Sequence, residues 1–245
     1  MINKVLIFLF LLVTLLSSTS AFAAQKNLGN GIKCDTTSGN LTLAGKTINL
    51  KAAKSSISKL ISTTKKQLAS AKKGSSKAAS LTKKIDSLTL TKESLPNCTT
   101  GGFIPLIFTQ ISGAYSTGTW NNTTFNTTGA ISANFSLNGT ILSASINIGG
   151  NMFGSLTPAP IEFQKDVANA TFPLNFVVTG TSIGNLDITI QESGALSISE
   201  SVVPVSGILS AKLDATFNKS SFTGTFSSTL LSGIQLAQGV MTLSK

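Results

Sequence analysis

Two periods of hydrophobic positions divide this chain. Between Leu50 and Leu95 apolar residues return every three or four positions, whereas beyond Gly101 they alternate with polar ones. The first set runs Leu50, Ala53, Ile57, Leu60, Thr64, Leu68, Ala71 and, after Gly74-Ser75-Ser76, Ala78, Leu81, Ile85, Leu88, Lys92, Leu95. A 3.6-residue period places each series on one narrow stripe, so the spacing predicts helices over about 48–73 and 75–95. Gly74 suits the position just past a helix C-terminus, where Lys72 and Lys73 would complement the dipole, and Pro96 stops the second helix. Two stripes joined by a tight turn bury each other best as an antiparallel, coiled-coil-like helical hairpin. At ~1.5 Å per residue it would project about 35 Å.

The second period is two. Ile131, Ala133, Phe135 and Leu137 alternate with Ser132, Asn134 and Ser136, and Asn138-Gly139 marks a tight turn. Leu142, Ala144, Ile146 and Ile148 form the next apolar face. Further faces are Phe172 to Val178, Leu186 to Ile190, Leu196 with Ile198, Leu209 to Phe217, Phe222 to Phe226, and Met241 with Leu243. This predicts an antiparallel meander of about nine to eleven strands over 99–245. One apolar face per strand fits a barrel or a two-sheet sandwich, and closure is favoured because it removes exposed edges. Gly118-Thr119-Trp120 resembles the Gly-x-Trp that opens lipocalin and avidin-type barrels. That resemblance implies architecture and no biotin site, since Trp120 is the single tryptophan. The expected class is therefore α+β: an N-terminal basic helical hairpin, then an all-β barrel.

The start of the chain changes where this fold is expected to be. Lys4, the apolar run Val5–Leu16 and Ala21-Phe22-Ala23 match a secretory signal cleaved near residue 23, too short to span a bilayer comfortably. Residues 1–23 are thus an address, 24–98 the helical unit, and the product is secreted or periplasmic. Export makes Cys34 and Cys98, the two cysteines, a disulfide that clamps the hairpin root. No CxxC accompanies them and the chain has no histidine, which argues against a redox or metal pair.

Charge follows the same division. Residues 25–98 carry fourteen lysines against Asp35, Asp86 and Glu93, a net +11, while residues 99–245 carry −2. A surface formed by Lys65, Lys66, Lys72, Lys73, Lys77, Lys83 and Lys84 would attract an anionic membrane or envelope polymer. A solvated face is the plain alternative. Nucleic acid is not expected, because the hairpin lacks aromatics and the chain lacks arginine. Membrane insertion is not expected either, since the stripe holds no Trp or Phe.

Catalysis finds little footing. Without histidine, His-based triads and zinc centres are excluded. A two-carboxylate site would need two of Glu162, Asp166, Asp187, Glu192, Glu200 and Asp214. The alternation points Asp187 and Asp214 outward, with Lys212 beside Asp214, and Gly149-Gly150 and Phe153-Gly154 read as turns. The expectation is a non-enzymatic interaction protein with no cofactor and no metal. The alternative is a carrier that holds a small apolar ligand inside the barrel, lined by Trp120, Phe135, Phe172, Phe176, Phe217 and Phe226.

Overall fold

A computed structural model describes residues 25–153, 160–181, 184–202, 208–230 and 234–245. The signal segment expected over 1–23 lies outside the described residues.

The first departure from the sequence reading comes at once. Residues 25–48, expected to belong to the helical unit, form a four-stranded antiparallel sheet in the order β1-β2-β3-β4. Its strands are β1 (Gln25–Gly29), β2 (Ile32–Asp35), β3 (Asn40–Leu43) and β4 (Lys46–Ile48). The strands are only three to five residues long, too short for alternation to outweigh the lysine-rich background. Ile32, Cys34 and Leu41 are nevertheless buried on one side of this sheet.

Helix α1 (Leu50–Ala69) and helix α2 (Ser76–Ser94) follow and lie against one another. Their starts obey local chemistry: Asn49 Oδ1 accepts from the Ala52 amide at 2.8 Å, and Ser75 Oγ accepts from Ala78 at 3.2 Å. The end of α1 falls earlier than expected. The Ala71 amide bonds to Leu68 O at 3.1 Å and the Ser70 hydroxyl to Gln67 O at 2.9 Å, tightening the last turn. Lys72 and Lys73 therefore sit in the connection, with Gly74 at φ +77°. The seam keeps the expected Ala53, Ile57 and Thr64 but shifts by one position at a single step, from Leu60 to Ile61. Ala53, Ile57 and Thr64 are buried in α1, and Ile61 packs with them, whereas Leu60 is 46% exposed. In α2 the buried positions are Leu88 and Thr91, not Lys92.

These helices are anchored at one end. Ile32, Cys34, Leu41, Ala53, Ile57, Leu88, Leu95 and Phe103 make one buried cluster, sealed by the Cys34–Cys98 disulfide (Cα–Cα 5.7 Å). Thr91 Oγ1 donates to Leu28 O at 2.9 Å, fixing α2 to β1. At Gly39 a Cβ would meet the Thr100 backbone at 2.5 Å, so only glycine lets this turn approach the bridge so closely.

A turn of 3-10 helix (Leu95–Asn97) and two short strands, β5 (Cys98–Thr99) and β6 (Gly102–Phe103), carry the chain into the second unit. There a short helix that the strand pattern did not announce, α3 (Leu106–Ile111), buries Ile107, Phe108 and Ile111 against the large core. The rest is strand: β7 (Gly113–Tyr115), β8 (Thr117–Asn122), β9 (Thr127–Asn138), β10 (Ile141–Ile148), β11 (Ile161–Asp166) and β12 (Leu174–Thr181). Then come β13 (Gly184–Ile190), β14 (Ala195–Val202), β15 (Ile208–Asn218), β16 (Ser221–Leu230) and β17 (Gln235–Ser244). Hydrogen-bonded neighbours run β11-β10-β9-β8-β17-β16-β15-β14-β13-β12, with β7 also on β9.

That order is an up-and-down meander whose last strand returns to the first, Met241 opposite Trp120. It makes a nearly closed antiparallel barrel of eleven strands, and the expected Asn138-Gly139 turn joins β9 to β10. Closure fails at one place only along this path. β11 and β12, consecutive in sequence, share no ladder. Side chains bridge the seam instead: the Phe163 and Phe176 rings stand 5.5 Å apart, and Lys165 Nζ lies 5.5 Å from the Phe176 centroid.

Candidate functional site

The seven lysines of the expected anionic contact, Lys65, Lys66, Lys72, Lys73, Lys77, Lys83 and Lys84, are all exposed. The helix pair brings them to its far end. The root cluster claims Ala53 and Ile57 of α1 and Leu88 of α2, and beyond Thr64 only half-buried residues such as Leu68, Ala78, Leu81 and Ile85 lie between the helices. No acidic residue occurs between 65 and 85. Among the described residues no lysine of this set makes an ion pair, the one such pair being Lys212–Asp214 at 2.8 Å on the barrel. The nearest acid in sequence is Asp86, three residues past Lys83, so the stretch from 65 to 85 is strongly net positive.

Sequence reasoning missed one aspect of this surface. Lys92, assigned to the seam, instead borders a groove of about 540 Å³ along the helix pair together with Lys65 and Lys66. Ile61 and Ala69 contribute apolar surface there, and Ser58 and Ser62 contribute hydroxyls. The available signal was the step 57, 61, 64, 68, which fits a helix stripe as well as the step through Leu60 does.

In the barrel the six expected lining residues are packed side chains. Trp120, Phe135 and Phe226 are 2–3% exposed; Phe172, Phe176 and Phe217 are half-buried against the same core. They engage one another and their neighbours edge to face, stacked or tilted: Trp120 with Phe226 at 6.1 Å, Phe135 with Phe222 at 5.5 Å, Phe217 with Phe222 at 5.2 Å, and Phe108 with Phe172 at 5.7 Å. Trp120 Nε1 donates to Gly149 O at 2.8 Å, and its ring covers Gly129 so closely that a Cβ there has no room. Tyr115 donates to Ile111 O at 2.7 Å, and burial pushes its phenol up to about 12. Cavities of about 330–400 Å³ along the strands are lined mainly by outward Asn, Ser, Thr and Gln side chains. A further one, about 390 Å³, lies where the two units meet, between Lys26, Phe103, Phe172 and Glu192.

Alternation puts Asp187 and Asp214 on the outer face; the other acids are expected in or beside turns, but Glu162 and Asp166 stand on a strand. Asp187 is exposed between buried Leu186 and Ile188, and Glu162 and Asp166 are exposed on β11. Burial would raise the Asp214 carboxyl, but hydrogen bonds from Lys212 and Ser197 and the Lys212 charge outweigh it and hold the group below its ordinary value. Asp35 is also lowered, by the amides of Ser38 and Thr37 in the β2–β3 turn. Among the described residues no three His, Cys, Asp or Glu side chains gather as a metal site would require. No protein-family model, curated protein or solved structure matches this chain.

Proposed function

We propose that this is an exported, non-enzymatic interaction protein in which α1 and α2 act as a basic helical hairpin that holds the β-barrel to an anionic membrane surface. The observation that carries this reading is the run of seven exposed lysines, unrelieved by any acid from residue 65 to 85, at the far end of the helix pair. Near an anionic leaflet each lysine contributes about 1 kcal/mol, so seven acting together suffice for roughly micromolar attachment without inserted side chains. The disulfide fits an oxidising compartment and the signal-like first residues. The carrier reading is weaker, because the rings that would line its cavity fill the barrel against each other.

The test is sedimentation of the purified protein with phosphatidylglycerol-containing vesicles. Binding should fall steeply as salt rises from 0.05 to 1 M, where the Debye length shrinks to about 3 Å. Changing the seven lysines to Gln, which keeps helix propensity, should leave the far-UV dichroism intact and weaken binding at least about a hundredfold. Equal retention of a folded seven-fold variant would refute the electrostatic reading.

A further inference from the structure

The helix pair is not equally basic on all sides. On α1, Ser58, Ser62, Lys65 and Ala69 step by four, three and four and so form one stripe, with Lys54 and Lys66 on neighbouring positions. The opposite flank, Ala52, Ser56, Leu60, Thr63 and Gln67, is less basic, with Lys59 its one bordering lysine. Across from the first stripe, α2 brings Lys92 to the same side, so that three ammonium groups border the 540 Å³ groove. Small residues at 58, 62 and 69 leave the groove shallow and open, and Ile61 adds apolar surface to it.

We propose that this groove seats the phosphate-bearing headgroup of an acidic phospholipid, so that the helix pair lies on the membrane by this one face. The inference rests on the membrane reading above and specifies which side makes the contact. Three like charges around one depression repel each other until an anion enters, which makes the groove more favourable for a phosphate than the same lysines dispersed. Ser58 and Ser62 supply hydroxyl donors for further phosphate oxygens. The apolar surface distinguishes the occupant. A lipid headgroup carries hydrocarbon from the glycerol onward that Ile61 and Ala69 can cover, whereas a soluble polyanion offers nothing to that surface.

The experiment compares two triple variants with the same loss of charge. K65Q/K66Q/K92Q removes the groove ammoniums; K77Q/K83Q/K84Q removes three exposed lysines of α2 that do not border it. With vesicles of one part phosphatidylglycerol to three parts phosphatidylcholine, the groove triple should lose at least about tenfold more affinity than the other triple. K65R/K66R/K92R should retain binding, which separates charge at the groove from damage to the helix. Equal losses in the two triples would overturn the groove while leaving diffuse attachment intact. A wild-type protein that ignores the vesicles would overturn both readings. Binding of inorganic polyphosphate that the groove triple abolishes, with vesicle binding unaffected, would assign the groove to a soluble polyanion and overturn the lipid.

Discussion

The two units of this protein solve the problem of burial in opposite ways. The barrel draws on one interior of about thirty buried residues, rich in Phe, Ile and Leu and stitched by ring-to-ring contacts. The N-terminal unit has a cluster of eight buried apolar residues, one disulfide and two helices that outrun their own core. A small core needs a covalent constraint, a large one does not, and the difference teaches where surface is left free to bind. Helices that need not bury their far ends can carry lysine there. Barrel strands that must fill an interior carry mostly Ser, Thr and Asn on the outside, with few charges.

The comparison breaks most sharply at Trp120. Trp120→Ala opens a cavity in the barrel core and breaks the bond to Gly149 O, and should cost about 4 kcal/mol. Chemical unfolding followed by circular dichroism should show the strand signal lost well before wild type; a shift below about 1 kcal/mol would mean that the interior is not one cooperative core. Next comes Cys34→Ser. The bridge closes a loop with a sequence separation of 64, for which loop entropy gives about 4 kcal/mol. The expected result is selective: a helix signal that melts early while near-UV aromatic signals of the barrel persist. Simultaneous loss of both would show that the units fold as one. The smallest effect concerns the seam. Leu60→Gln should change stability by no more than about 0.5 kcal/mol, whereas Ile57→Ala should cost about 3 kcal/mol. If both cost the same, the helix faces are rotated from the arrangement described.

Legibility followed element length. β9 and β10, with twelve and eight residues, announced their inward faces and their Asn-Gly turn without ambiguity. The disulfide followed from the expectation of export and from there being two cysteines. β1 to β4 were hidden because three to five residues hold at most two alternations, and their lysines blended into the helical background. α3 was hidden because one and a half turns show apolar steps only onto Ile111, from Ile107 and Phe108, too few to set a period. The groove was hidden for another reason: a stripe displaced by one residue, through Ile61 instead of Leu60, changes which lysines share a side. Such displacement is decided by packing on β1 and β3, which no local pattern contains.

One consequence of the break between β11 and β12 concerns solubility. A sheet that stops leaves two rows of amides and carbonyls able to recruit strands from other molecules. Here both rows belong to adjacent stretches of one chain and look toward each other, with Lys165 laid across the Phe176 ring at their margin. Each raw border is thereby screened by its counterpart and by a cation, and a foreign strand would have to displace that aromatic closure before it could pair.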